Sequence, residues 1–446
     1  MNILLAHFRV GETDGVSLEM DKWKWALEAS GHKVHYLAGS SGDCEAECIS
    51  ELHYLDDFND KIIHNAYVKM SDYSSDSELI EAIEAQAERI ADKVADIITK
   101  LDIDIIVPNN VWSLGYHLPA AIGILDAVNR TGIKAICHHH DFHWEREKYS
   151  KPTTEKVTEL LDQYFPPKQD NIQHCIINYI AQEELKFRRD IDSDVVPNVF
   201  DFHSSDWKVD DYNRDLRERF GIQPNDIMFL QATRIVARKG IELAIDHIAE
   251  VAKQKQKLIG KTLYNGQTFT QESRLILTFA GMSEEESYLD KLKEKAKQQG
   301  VELLFINDAI AHSRSDAEGE KVYSLWDAYA HADIITYPSL LEGWGNQFLE
   351  GLIAKLPMIV YRYPVYATDI AANQFDIIDL GDTHQLDAQG LAYIDSEQNA
   401  KSAEQTIKYL TDRETRQKEM ERNYQIGLHS YSYPVLKQIL DNIFSA

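Results

Sequence analysis

Two doubly wound α/β domains in tandem are the architecture this sequence predicts, on three observations. Short apolar runs alternate with helix-period segments along almost the whole chain. The alternation comes as two series, separated by a polar, charged stretch at Asp201–Arg219. At 446 residues, the chain is also longer than one hydrophobic core comfortably organises. Strands alternating with helices imply parallel sheets covered on both faces. Two such series imply domains that face each other across a cleft, with ligands beyond the carboxyl ends of the strands.

In the first series, Asn2–His7 reads as a strand, Gly15–Ser30 as a helix and His32–Leu37 as a strand. Residues 77–101 are the clearest helix, with Leu79, Ile83, Ala87, Ile90, Val94, Ile97 and Leu101 recurring at three or four. Its other face is charged, so it covers a sheet from outside. Ile103–Val107, Lys134–His138, Cys175–Tyr179 and Val195–Val196 complete the series as strands. The second series runs through Ile227–Ala232, a helix from Ile241, Leu275–Ala280, a helix over Glu284–Gln299, and Val301–Ile306. A helix near Lys321–His331, the strand Ile334–Tyr337, a helix from Gln347 and the strand Met358–Tyr361 follow. Lys253–Arg274 reads as a helix extension and surface loop. The expected domains are 1–200 and 220–425, joined by 201–219, with a C-terminal helix at 426–446 returning to the first domain.

Apolar residues at 44% and charged residues at 27% are ordinary for a globular chain. The net charge of -27 is not. Residues 1–200 hold 19 basic and 35 acidic residues, and the remainder holds 27 and 38, so both halves are acidic. That field repels nucleic acid and anionic lipid, yet leaves room for an anionic substrate in a locally basic cleft. No run reaches the length of a membrane span, and Met1–Ala6 reads as a strand rather than a cleavable leader. A cytoplasmic protein without strong membrane association is expected. Four cysteines (Cys44, Cys48, Cys137, Cys175) fit free thiols in a reducing compartment.

The segment Glu342-Gly343-Trp344-Gly345-Asn346-Gln347-Phe348-Leu349-Glu350 places two carboxylates eight positions apart, with two glycines after the first. A glycine-rich turn opening a helix presents backbone N–H groups to an anion, and carboxylates accept from sugar hydroxyls. Arg234 and Lys239 follow the Ile227–Ala232 strand, and Gly240 opens the next helix. Two fixed cations suit a diphosphate, although a solvated basic turn has the same composition. His140 closes the run Cys137-His138-His139-His140 after a strand. Consecutive strand residues face opposite ways, which argues against a shared metal and for one histidine lining the cleft or packed at the strand end. Gly11 and Gly15 flank the first strand-to-helix turn, a weak dinucleotide signal but a plausible backbone nest. Asp102-Ile103-Asp104 has the form of a metal–nucleotide ligand pair, but sits at a helix end entering a strand, where a structural role is favoured.

In number and order these segments resemble glycosyltransferase family 4, over nearly the whole chain. The carriers are Gly15 with Gly31-His32-Lys33-Val34, His140-Asp141-Phe142, Pro197-Asn198-Val199-Phe200-Asp201, Arg234…Lys239-Gly240, Phe279-Ala280-Gly281, and Ala332-Asp333-Ile334…Pro338-Ser339…Glu342-Gly343-Trp344-Gly345. The resemblance implies a GT-B fold of two Rossmann-like domains and retaining transfer of a hexose from a nucleoside-diphosphate sugar. By position, Glu350 would bind the donor ribose, and Glu342 would lie near the transferred sugar. Arg234 and Lys239 would clamp the diphosphate. Gly343, Trp344, Gly345, Asn346 and Gln347 would supply backbone N–H groups, and His140 would contact the sugar. Gly15 would form the turn where donor and acceptor meet. The chain departs from the family pattern at Val199, at Lys355 and at Tyr363-Pro364-Val365-Tyr366-Ala367-Thr368-Asp369, where glycines are usual.

The expected reaction is thus hexosyl transfer from a UDP-, GDP- or ADP-sugar to a hydroxyl acceptor, with no metal and no other cofactor. The acidic first domain favours a soluble acceptor: a small metabolite, an oligosaccharide or a protein. A sugar phosphorylase or nucleotide-sugar epimerase on the same fold, or a non-catalytic subunit assisting a partner, are the alternatives. Donor base, sugar, linkage and oligomeric state stay open.

Overall fold

The computed structural model describes residues 1–12, 14–203, 207–316 and 320–445. Thr13 of the first turn and residues 204–206 of the connecting stretch lie outside the described residues. The chain divides into two compact units, Met1–Asn198 with Tyr433–Ala446, and Val199–Ser432.

The first unit is built on seven strands: β1 (Asn2–Ala6), β2 (Lys33–Ala38), β3 (Glu47–Cys48), β4 (Ile105–Pro108), β5 (Lys134–His139), β6 (Ile172–Ile176) and β7 (Asp194–Val195). Their order is β3-β2-β1-β4-β5-β6-β7, with every pairing parallel. Apolar runs such as Ile3–Ala6 and Ile105–Val107 are buried because helices cover both faces. Helix α1 (Gly15–Ala29) starts where the Asp14 carboxylate accepts from the N–H groups of Val16 and Ser17, at 3.1 and 3.3 Å. Helix α2 (Asp76–Lys100) buries Leu79, Ile83, Ala87, Ile90 and Val94, the expected stripe, and ends it on Ile98 rather than Ile97. Helix α3 (Leu118–Thr131), absent from the expectations, is apolar nearly all round and packs against α2.

Asp102 and Asp104 lie at the amino end of β4, away from the strand ends that bind ligands. The Asp104 carboxylate accepts from the Asn2 N–H at 2.7 Å and fixes the start of β1.

The second unit has six parallel strands: β8 (Ile227–Gln231), β9 (Leu275–Phe279), β10 (Glu302–Phe305), β11 (Ile334–Tyr337), β12 (Met358–Val360) and β13 (Ile378–Asp379). Their order is β10-β9-β8-β11-β12-β13. Winding reverses between β8 and β11, which makes that gap the topological switch point. Helices α4 (Ile241–Lys253) and α5 (Asn346–Ile353) begin in the loops after β8 and β11. Lys253–Arg274 is not a simple surface loop. Leu258, Leu263 and Phe269 are buried, and the Tyr264 hydroxyl donates to Asp333 at 2.6 Å, so three apolar anchors hold a polar segment down.

The chain returns to the first unit later than 426. Helix α6 (Arg413–Tyr431) runs unbroken past that point within the second unit, and stops where Ser432 turns extended. Only the following helix, Tyr433–Phe444, belongs to the first unit. It packs on α1 through Trp25 against Tyr433 and Trp23 against Phe444, with ring centroids 5.0 and 6.4 Å apart. No helix among the described residues is long and apolar enough to cross a membrane.

Candidate active site

The loops after β8 and β11 flank the switch point, and there the second unit gathers most of the residues singled out by sequence. Gly240 closes the β8 loop at φ +57°, hard against the Pro338 carbonyl, where a β-carbon has no room. That contact draws the two loops together. The buried Lys239 ammonium donates to Glu342 Oε1, and Arg238 donates to Glu342 Oε2 at 3.0 Å and to the Leu341 carbonyl at 3.2 Å. Burial opposes ionisation of Glu342, but Lys239 and Arg238 outweigh it and hold its carboxyl below the usual carboxylate range. Burial also draws Lys239 below the ordinary lysine range, with the Glu342 charge opposing it.

Arg234 stands apart. Its guanidinium is 56% exposed and pairs with Glu284 at 2.6 Å. An exposed pair of this kind contributes little to stability, so Arg234 is available to a ligand at small cost. Arg238, next to the expected cations, was not singled out by sequence. Only its 104-residue reach to Glu342 distinguishes it from a solvated arginine.

Gly345, at φ +119°, ends the second loop and caps α5. A β-carbon there would run into the hydroxyls of Tyr337 and Tyr363, so only glycine fits. Tyr363, one of the departures from the family pattern, supports the loop from beneath by donating to the Trp344 carbonyl at 2.8 Å. The Trp344 ring is buried against Tyr431, so what it can offer a ligand is backbone. Gln347, in the first turn of α5, is buried, with its side-chain amide beside the Tyr329 hydroxyl. Gly343 and Asn346 complete the turn. A helix start lacks intrahelical acceptors for its first N–H groups, and it favours negative charge. Glu350 lies one turn into α5 from Gln347, and its Oε2 accepts from the buried Tyr329 hydroxyl at 2.6 Å. A groove of about 370 Å³ lies beside the site at the ends of β8 to β10, with Ile235, Gly281, Met282, Phe305 and Asn307 among its walls.

His140 and Gly15 belong to the first unit. Asn110, at φ +57°, accepts from the backbone N–H groups of His140 and Asp141 at 2.7 and 3.1 Å, fixing the turn after β5. Burial, reinforced by His7 and Lys22, pushes the His140 imidazole down to about 3 and keeps it neutral. Its Nε2 is enclosed without a partner among the described residues. The histidine run divides as strand geometry requires. His138 and His140 pack ring to ring at 4.2 Å, whereas His139 bonds His174 on β6 at 3.0 Å. Gly15 begins α1 at an ordinary φ with open space where its β-carbon would point, so the fold itself does not require glycine there.

The site thus lies on a parallel sheet at its switch point. Residues 213–425 match the family described as Glycosyl transferases group 1. The chain is 43% identical over 415 residues to the mannosylglucosylglycerate synthase of Petrotoga mobilis, covering 92% of this chain and 94% of that one. It is 38% identical to the mannosylglucosylglycerate synthase of Thermotoga maritima over 440 residues, 99% of each chain. Among solved structures, sucrose-phosphate synthase from Thermosynechococcus elongatus superposes with a TM-score of 0.57 at 12% identity, covering 100% of this chain and 98% of that one. The chain belongs to the group 1 glycosyl transferases, and its two-unit α/β architecture is the GT-B fold.

Proposed function

We propose that this protein is a retaining hexosyltransferase of family 4 that moves a mannosyl unit from a nucleoside-diphosphate sugar onto a small, soluble glucosylglycerate-type acceptor. The observation that carries the proposal is the Arg238–Lys239–Glu342 cluster at the switch point, beside the Gly343–Gln347 helix entry. Two cations meet there on one carboxylate beside a helix start, a combination that suits a sugar diphosphate. The relatives' name supports the sugar and the acceptor class.

In this reading Arg234 and Lys239 take the diphosphate, and Gly343, Gly345, Asn346 and Gln347 hold its oxygens and the sugar. Glu350, oriented by Tyr329, accepts from the ribose hydroxyls, and Glu342 from the transferred sugar. The groove by Phe305 suits the base. His140 and Gly15, on the first unit, keep the roles that the family resemblance gives them, sugar contact and acceptor-side turn. The anomeric carbon–phosphate oxygen bond breaks as the acceptor oxygen bonds to the same face. The acceptor proton passes to the departing diphosphate, whose charge Arg234 and Lys239 hold. No protein nucleophile and no metal enters the transfer.

The test is a panel of UDP-, GDP- and ADP-sugars, each titrated calorimetrically and then assayed with acceptor before and after brief EDTA treatment. One nucleotide binds preferentially, and its sugar is transferred with EDTA present. No binding across the panel overturns the donor assignment, and immediate, complete loss of turnover with EDTA overturns the metal-free transfer.

A further inference from the structure

Away from the transfer site, the first unit holds a second group of ligand-type side chains. Cys137 and His139 are two apart on β5 and so share a face of the sheet. On the neighbouring strand β6, His174 pairs in register with Cys137. All three side chains are buried, and one donor atom from each lies within 4.8 Å of the others. His139 Nε2 and His174 Nδ1 are 3.0 Å apart. The same strand alternation that separates His139 from His140 thus brings together a thiol and two imidazoles that are distant in sequence or masked by the histidine run.

From this geometry we infer that Cys137, His139 and His174 form a buried binding site for one zinc-class divalent ion. Tetrahedral zinc, with bonds of about 2.0 Å to nitrogen and 2.3 Å to sulfur, holds its donors roughly 3.3–3.6 Å apart. The two ring nitrogens already stand near that spacing, and small side-chain rotations bring the sulfur in. One further feature fits. The His174 ring meets the Pro167 carbonyl, the outer-sphere contact that fixes a ligating imidazole. Phe142 packs on His139 at 5.3 Å and supplies an apolar wall. Binding exchanges the Cys137 thiol proton for the ion, with one proton released to solvent per ion bound. Three protein donors leave the fourth position to a water. The ion would tie β5 to β6 one residue before His140, and so brace the turn that carries it.

The experiment uses the full-length chain without a histidine tag. Metal content is measured by plasma mass spectrometry, and the metal-free protein is titrated with Co²⁺ while the thiolate-to-cobalt absorption is followed. The expected result is about one zinc per chain and a charge-transfer band that saturates at about one cobalt. A Cys44→Ser/Cys48→Ser double variant keeps both, because its thiols lie elsewhere. Cys137→Ser loses the band and weakens binding at least ~10-fold. The inference is overturned by less than about one-tenth of an ion per chain together with no cobalt band. It is equally overturned by a band that survives Cys137→Ser and vanishes in the double variant. Should Cys137→Ser fail to fold, the wild-type content and titration decide alone.

Discussion

Replacing Glu342 by glutamine separates the structural and chemical roles of the switch-point cluster. The Glu342 and Lys239 side chains are only 8% and 10% exposed. Removing one partner of a buried ion pair costs about 3–5 kcal/mol, because the other charge stays buried. Glutamine keeps one acceptor, and Arg238, 40% exposed, is largely hydrated in either protein. The expected loss is thus about 2–3 kcal/mol, or roughly 5–10 °C in Tm for a unit of this size. The same substitution releases two cations towards the diphosphate. Nucleotide affinity should hold or tighten a few-fold, while kcat falls about 100-fold.

The pH dependence has a definite sign. The folded pKa of Glu342 lies below its ordinary 4.5, so the pair's contribution is complete above that pH and is lost as pH falls through the folded value. Glu342→Gln should therefore flatten the acid limb of stability, and because it removes the charge that opposes burial of Lys239, the variant's deficit should narrow as pH rises through the lowered Lys239 value. Urea unfolding across pH, calorimetry with nucleoside diphosphates and steady-state kinetics read the three effects. A Tm within ~1 °C of wild type refutes the stability reasoning. A tenfold weaker Kd with kcat within ~2-fold would move Glu342 from the sugar to the nucleotide.

Four further outcomes follow from individual contacts. Arg234→Ala should change stability by less than ~0.5 kcal/mol, because its pair with Glu284 is exposed, while kcat/KM falls about 100- to 1000-fold; equal activity would leave it a surface residue. Glu350→Ala should raise nucleotide Kd about tenfold with kcat within ~3-fold. Tyr329→Phe, which removes the 2.6 Å bond that orients Glu350, should cost about 1–2 kcal/mol of stability and weaken the nucleotide less than additively with Glu350→Ala. Lys355 ends α5 at φ +52°, a left-handed conformation that costs a side chain about 1 kcal/mol. Lys355→Gly should therefore be more stable than Lys355→Ala by about that amount, since both lose the ion pair with Glu421 but only glycine relieves the backbone; the reverse order in urea unfolding would contradict this.

The sheets and their sequence were legible because buried parallel strands read as apolar runs, and α2 because one stripe of it is apolar. Leu118–Thr131 was not, since a helix buried on most sides carries no 3.6-residue contrast. The candidate site was legible where its residues sit in a contiguous stretch: Arg234 to Gly240, and Glu342 to Glu350. It was not legible where a partner arrives from far along the chain. Tyr329 beneath Glu350, Arg238 on Glu342 and Tyr363 under Gly345 become site residues only through folding. Tyr363 showed in the sequence as a departure from the glycine-rich pattern, and its buried hydroxyl gives the reason for a ring there. The histidine run was correctly divided by strand alternation, but the same rule pairs Cys137 with His139, and His174 enters from the next strand.

The most direct measurement is NMR of the product formed when the purified protein is given glucosylglycerate and a nucleoside-diphosphate α-mannose. A single mannosyl transfer that keeps the α configuration is the predicted result. An inverted anomer, release of free mannose alone, or no transfer from any of the UDP-, GDP- or ADP-sugars would contradict the account.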